Sequence, residues 1–346
     1  MRFWDQLASF RCLRLAVKLR ARTRVDLPAY RGSAIRGAFG VALKRCTCAL
    51  PRRSCNDCLL RQRCLYTYVF ETQPGETADA MQRYAAAPHP FVFDLEVGEE
   101  EVVSPGHSFS FGMTLFGRAV DGLPYLVHAI KEMGNLGIGK GRGTFDLEQV
   151  ETLDAAGRPV DNLYMKGVLQ PPRALLDISH ALDAFPEGKV ELVRLHFITP
   201  VRLQTSGKLC RQLDFPLLVR TILQRLENLQ RFHCGNESAL DWGDWMEQAS
   251  KVDRLSQEAR WYDWERYSRR QDRRMKLGGL LGPVTFRGPV EAFLPLLLLG
   301  SWVHIGKNTT FGLGRYHVEP IGSATATEGE TAGLFRVPRS VHCAGS

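Results

Sequence analysis

The sequence predicts an α+β fold built from two units in tandem, each with the element order β-α-β-β-α-β. Three observations carry this expectation. Strand-like and helix-like runs follow one another in that order twice. A connector at about 151–189 separates the two series. Each series also places a glycine-rich stretch between its second helix and its last strand, GIGKGRG at 137–143 and FGLGRY at 311–316. Two such stretches in register suggest an internal repeat.

In the first unit, residues 11–25 set Leu13, Leu15, Val17 and Leu19 at alternate positions, with Arg14, Lys18, Arg20, Arg22 and Arg24 between them. A period of two marks a strand with one buried face. After the Leu27-Pro28 turn, Tyr30 leads into RGSAIRGAFGVALKR, where Ile35, Phe39 and Leu43 recur at helical spacing. FVFDLEV (91–97) and SFSFGMTLF (108–116) read as strands, PYLVHAIKEMG (124–134) as a helix and GTFDLEQV (143–150) as a strand.

In the second unit, VELVRLHFITPVRL (190–203) is strand-like. DFPLLVRTILQRLENLQRF (214–232) is an amphipathic helix with Asp214 placed to cap it, and a further helical stretch is expected over about 244–260. WYDWERYS and GGLLGPVTFRG read as strands, VEAFLPLLLLG as a helix and GRYHVEP as the closing strand. The order is that of a ferredoxin-like domain. The expected domains are therefore 1–150, carrying a cysteine-rich insertion at 46–64, and 190–320, with a disordered tail at 321–346.

At 346 residues and 44% hydrophobic, the chain is long enough for two such cores. Its net charge of +8 favours an acidic partner, nucleic acid being the commonest. MRFWDQLASFRCLRL lacks an uninterrupted apolar core and LPLLLLG (294–300) is too short to span a bilayer, so a soluble cytoplasmic protein without a membrane partner is expected.

Five of the nine cysteines fall within CTCALPRRSCNDCLLRQRC, residues 46–64. In a reducing compartment such a cluster suggests a metal site over a disulfide framework. Cys48, Cys55, Cys58 and Cys64 are the expected ligands of a structural zinc, with Cys46 left in the preceding helix. An iron–sulfur cluster or plain reduced thiols are the open alternatives.

GNLGIGKG (134–141) approaches a phosphate-binding P-loop, but Gly141 stands where Ser or Thr is needed, and the loop joins helix to strand instead of strand to helix. No nucleotide cofactor is expected. RNA fits the basic residues better. In WYDWERYSRRQDRRMK (261–276), Trp261, Tyr262, Trp264 and Tyr267 are interleaved with Arg266, Arg269, Arg270, Arg273, Arg274 and Lys276. Aromatic rings stack on unpaired bases while guanidinium groups pair with phosphates. The alternative is a strand with buried Trp and a solvated basic end. For the basic face of the first strand, a solvated face is the default reading. Lys140, Arg142, Lys307 and Arg315 in the two glycine loops complete the expected RNA contacts.

LPAYRGSAIRGAFG with the following C…CxxC…C cluster, GIGKGRGTF, and RYSRRQDRRMKLGGLLG…HIGKNTTFGLGRY together resemble the CRISPR repeat-processing endoribonucleases of the RAMP superfamily. The resemblance covers about residues 11–320 and is most specific in its last block. It implies two tandem ferredoxin-like (RAMP/RRM-like) domains and precursor CRISPR RNA as substrate. It also implies metal-free cleavage within the repeats, in which the 2′-OH attacks phosphorus to leave a 2′,3′-cyclic phosphate and a 5′-OH. Retention of the product crRNA and association with other Cas effector subunits are compatible with it.

That reaction wants a base, an acid and a cation on the developing charge. Many relatives use a histidine beside the first helix of the amino-terminal domain, whereas the first histidine here is His89. Near that helix stand Tyr30, to orient the 2′-OH or serve as a weak acid, and Arg31 and Arg36, to stabilise the phosphorane. His304 is the candidate base, set against a role as a brace for its loop. A catalytically silent RNA-binding subunit is the rival reading, favoured by the missing histidine. A zinc-bearing nucleotide-dependent enzyme is the weaker one.

Overall fold

The computed structural model describes residues 3–51, 53–72, 87–185, 189–205, 207–236, 238–263, 265–268, 273–276 and 278–322, with the backbone alone at 265–268 and 273–276. In the first half, β1 (Arg11–Ala21) is followed by α1 (Gly32–Thr47), α2 (Leu65–Phe70), β2 (Phe91–Asp94), β3 (Ser108–Phe116), α3 (Leu123–Leu136), β4 (Phe145–Leu153), β5 (Pro159–Met165) and β6 (Val168–Leu169). The sheet order is β2-β3-β1-β4-β5-β6. β1 is central and antiparallel to both neighbours, with Leu15 opposite Met113 and Val17 opposite Val150. The alternate residues Leu13, Leu15, Val17 and Leu19 share one core with Ile35, Phe39 and Leu43 of α1 and Leu126, Ile130 and Met133 of α3.

The second half repeats this wiring. β7 (Val190–Val201), α4 (Phe215–His233), α5 (Gly243–Ala249), β8 (Asp253–Gln257), β9 (Gly279–Arg287), α6 (Leu294–Val303) and β10 (Tyr316–Gly322) give a sheet ordered β8-β9-β7-β10. In both sheets the first strand lies between the third and the fourth, the wiring of a ferredoxin-like fold. Asp214 caps α4 through a 2.7 Å bond from the Leu217 amide, as the sequence predicts.

Two stretches differ from expectation. The helix expected to run to 260 stops at Ala249, and Asp253–Gln257 is a strand. Pairing of Asp253 with Arg287 and of Gln257 with Val284 outweighs the weak local helical pattern. The stretch at 151–189, read as a connector, supplies β5 and β6 to the first sheet, and Leu176–Asp177 pairs with the start of β1. These strands are short and bury Leu163 and Tyr164 while Val160, Met165 and Val168 stay exposed, so periodicity alone does not mark them. Glu265–Ser268 and Arg273–Lys276 form a hairpin. Arg269 and Arg270, between its strands, lie outside the described residues, as do residues 323–346 of the expected tail.

The two halves share buried surface. Cys12, Val92 and Phe116 of the first belong to the same apolar cluster as Leu218, Ile222 and Trp302 of the second. The amino-terminal turn Phe3–Leu7 also lies on the second half, where the Gln6 carbonyl accepts from Gln230 at 2.8 Å and Phe3 meets Trp245 at 4.5 Å.

Candidate active site

Helix α6 ends at His304, whose φ of 55° and ψ of 154° are glycine territory. The chain then loops out and back. Ile305 N–H bonds the Gly314 carbonyl at 3.1 Å, and the Lys307 and Gly314 amides bond the Arg202 and Pro200 carbonyls at the end of β7. This anchoring points the short turn Thr309–Phe311 into the first half.

There the turn meets α1. The Tyr30 hydroxyl donates to the Phe311 carbonyl. Arg36 Nε donates to Thr310 Oγ1 at 3.1 Å, and its guanidinium lies 4.6 Å over the Phe311 ring and 5.1 Å over that of Phe70. The fit is close. A Cβ on Gly32 would stand 1.9 Å from the Phe311 carbonyl oxygen. Gly32→Ala is expected to wedge α1 from the loop and cost about 1–3 kcal/mol, read by chemical denaturation; an unchanged midpoint would show that the contact is dispensable.

The base of the loop is locked to the strand beside α1. His304 Nε2 lies 2.9 Å from Asp94 Oδ1, and Arg315 reaches the Leu95 carbonyl at 3.2 Å and Glu96 Oε1 at 3.9 Å. Burial by itself would raise the Asp94 carboxyl, but the His304 hydrogen bond and the cations Arg315 and Arg14 hold it well below the usual carboxylate range. Burial pushes His304 down against the pull of Asp94. The pair is therefore carboxylate and neutral imidazole, with Nε2–H donating. Buried Nδ1 has no hydrogen-bond partner, as suits a nitrogen carrying no proton.

The sequence-predicted residues are thus gathered at one seam, in unequal surroundings. His304 is 0% exposed, so in this arrangement it braces the loop and has no face open to a substrate. Tyr30 is also buried, which raises its phenol far above its ordinary value and leaves a hydroxyl committed to Phe311. Arg31 is half-buried and ion-paired with Glu101. Arg36 is part-exposed and Lys307 exposed. Sequence reasoning missed Asp94, His89 and Arg225. His89 is part-exposed where the chain enters β2, and Arg225 comes from α4, its Nε donating to the Val303 carbonyl at 3.3 Å. Asp94 carried a signal, a carboxylate within the apolar run FVFDLEV.

The loop at 137–143 occupies the corresponding place in the first half but packs on Val25–Leu27, with Lys140 N–H bonded to the Asp26 carbonyl at 3.0 Å. Lys140 and Arg142 are exposed. On β1, Lys18 and Arg20 pair with Glu148, and just past its end Arg22 pairs with Asp146, so that face is ion-paired surface. Trp261 is half-buried, its indole donating to Asp263 at 2.8 Å and Arg211 covering its ring at 4.8 Å.

The expected thiolate site is not assembled. Among the described residues no three His, Cys, Asp or Glu side chains come together in a group that could hold a metal. Cys48, Cys55, Cys58 and Cys64 are free thiols spread over the end of α1, the turns Cys55–Asp57 and Arg61–Arg63, and the start of α2. Lys44 lies against Cys55 and near Cys48, putting a cation where a metal site would want none.

Residues 195–316 match the family model described as CRISPR-associated endoribonuclease Cas6, and residues 10–174 match the model AF_1859_N, an N-terminal domain. The second half carries a Cas6-type endoribonuclease domain. An uncharacterized protein of Archaeoglobus fulgidus is 23% identical over 324 residues, 87% of this chain and 96% of that protein. Among solved structures, a Cas6 product complex shares the fold with TM-score 0.53 at 16% identity, covering 89% of this chain and all of the other. Thermus thermophilus Cas6 does so with TM-score 0.51 at 15% identity, over 90% and 99%. A partial Cas6-RT-Cas1–Cas2 complex gives 0.54 at 16%, over 92% of this chain and 47% of the other. The Cas6 match contains Arg225, His304 and the whole seam loop, while the amino-terminal match contains Tyr30, Arg36, His89 and Asp94. The seam joins the two.

Proposed function

We propose that this protein cleaves precursor CRISPR RNA within its repeats by attack of a ribose 2′-OH on the adjacent phosphorus, without a metal in the step. The products are a 2′,3′-cyclic phosphate and a 5′-OH. The observation that carries this reading is the seam itself. A loop inside the Cas6 match lies on the first helix, with Arg36 bonded to its Thr310 and Arg225 bonded to the Val303 carbonyl at its base, cations suited to the charge of a phosphorane.

In this reading Arg36 stabilises the developing charge, with Arg31 at the N-cap of α1 as a second cation, while Tyr30, Asp94 and His304 hold the loop in place. Lys307, Arg315, Lys140 and Arg142 contact the RNA backbone, as do Arg266, Arg269, Arg270, Arg273, Arg274 and Lys276 of the hairpin segment. No nucleotide cofactor takes part. Among the described residues no helix is long and apolar enough to cross a membrane. Association with other Cas subunits follows the complex named for one matched structure.

A repeat RNA incubated with the protein in EDTA is expected to be cut, and a 2′-deoxy group at the scissile nucleotide to abolish the cut. Equal cleavage of the deoxy substrate would overturn the mechanism. The second reading, a silent RNA-binding subunit, is favoured by a helix α1 without histidine and by the enclosure of His304. A gel shift without cleavage in the same experiment would establish it.

A further inference from the structure

Metal-free cleavage needs a base that touches the RNA, and neither α1 nor His304 supplies one. His89, His233, His304 and, on β10, His317 lie near the seam groups, and His317 sits on the second sheet opposite His196. His233 and His304 are both 0% exposed. His233 is spent on the Pro88 carbonyl at 2.7 Å and on the Tyr68 hydroxyl at 3.0 Å. His89 retains exposed surface.

Its surroundings suit a phosphodiester. One ring nitrogen donates to the Val69 carbonyl, and Nδ1 lies 3.4 Å from Thr72 Oγ1, whose own proton goes to the Tyr68 carbonyl at 2.6 Å. The ring lies 6.2 Å from Phe91, which meets Phe70 at 5.3 Å, the ring that carries the Arg36 guanidinium. The charged groups acting most strongly on His89 are Arg36 of α1 and Arg225 of α4, with His233 beside them, and no carboxylate is among them. Arg225 Nη2 is buried without a hydrogen-bond partner. A guanidinium left unsatisfied beside an imidazole is an arrangement that an anion completes.

We propose that His89 is the general base of the cleavage, with Arg36 and Arg225 holding the scissile phosphate between the two halves. This rests on the ribonuclease reading above. The ring nitrogen not committed to Val69 takes the 2′-OH proton as the O2′–P bond forms. The P–O5′ bond breaks, and the departing 5′-oxygen takes a proton from water. Burial first, then Arg36 and Arg225, lowers the His89 pKa to about 4, so the free ring is unprotonated at pH 7.

The test is single-turnover cleavage of a repeat RNA by wild type, His89→Ala, His89→Gln, Arg225→Gln and His317→Ala, with RNA affinity measured alongside. His89→Ala is expected to lose about 100-fold or more in rate with affinity little changed, and imidazole in the buffer is expected to restore part of that rate. Arg225→Gln should weaken binding and reduce its salt slope by about 0.7 to 0.9. His317, opposite His196 across β7 and β10, should be replaceable without loss. Wild-type inactivity would sink the ribonuclease reading. An active wild type with an equally active His89→Ala would sink this proposal alone. So would recovery with His89→Gln but not with imidazole, because that pattern marks a structural hydrogen bond. A rate lost only in His317→Ala would move the base to the second sheet.

Discussion

Asp94→Ala is expected to lower folding stability by about 1–3 kcal/mol, the usual cost of leaving a buried donor without its acceptor. The loss exceeds that of an ordinary hydrogen bond for two reasons. Asp94 is the carboxylate that Arg14 and Arg315 act on inside the seam, and without it those cations are left with Asp154 and Glu96 as acidic neighbours. His304 Nε2–H is also left buried without an acceptor, on a histidine already held at a φ of 55°. Asp94→Asn keeps an acceptor for Nε2–H and should lose less. Because the seam joins both halves through one shared core, denaturation of either variant should remain a single transition at a lower midpoint. A wild-type midpoint for Asp94→Ala would show that the pair contributes nothing.

Acidification is expected to destabilise the protein well before its carboxylates titrate. Burial holds His89, His233 and His317 at pKa values of about 4, while an unfolded chain offers about 6.5. Their folded values lie below the unfolded ones, so the unfolded state binds more protons between about pH 6.5 and 4. Stability is complete above that window and falls as pH drops through it. Each group contributes at most about 1.4 kcal/mol per pH unit. Partial exposure of His89 and His317 weakens their share, leaving a combined slope of about 2–4 kcal/mol per pH unit. His304 adds to the same trend, and Asp94 adds its share only at still lower pH, as it is protonated. Thermal melts from pH 7 to pH 5 read this directly, and a flat Tm would contradict it.

Much of the architecture is legible in the residues. Leu13, Leu15, Val17 and Leu19 announce a strand, and Ile35, Phe39 and Leu43 a helix, because side-chain direction repeats every two or about 3.6 residues whatever lies elsewhere in the chain. Asp214 marks the start of α4 for an equally local reason. The helix expected over 244–260 and the strands within 151–189 escaped this reading. Asp253–Gln257 and Pro159–Met165 are strands through the partners they pair with, and periodicity does not encode a partner.

The candidate site divides the same way. Tyr30, Arg31, Arg36 and the loop at 304–315 were readable as chemistry-bearing residues near a helix start and a glycine-rich turn. That Arg36 meets Thr310, that Asp94 meets His304 across 210 positions, and that His89 has Arg36 and Arg225 as its strongest cationic neighbours is not readable. The cysteines show the converse, since a spacing that suits a metal leaves thiols scattered over separate turns.

The sequence by itself determined the doubled βαββαβ order, the basic charge and the resemblance to repeat-processing endoribonucleases, because each is written in short stretches or in totals. Only the tertiary structure decided which histidine is enclosed, which keeps an open face and which arginines stand beside it. Those properties arise where two units, each folded by local rules, pack on one another. Burial at that contact sets both the pKa of a side chain and its access to RNA.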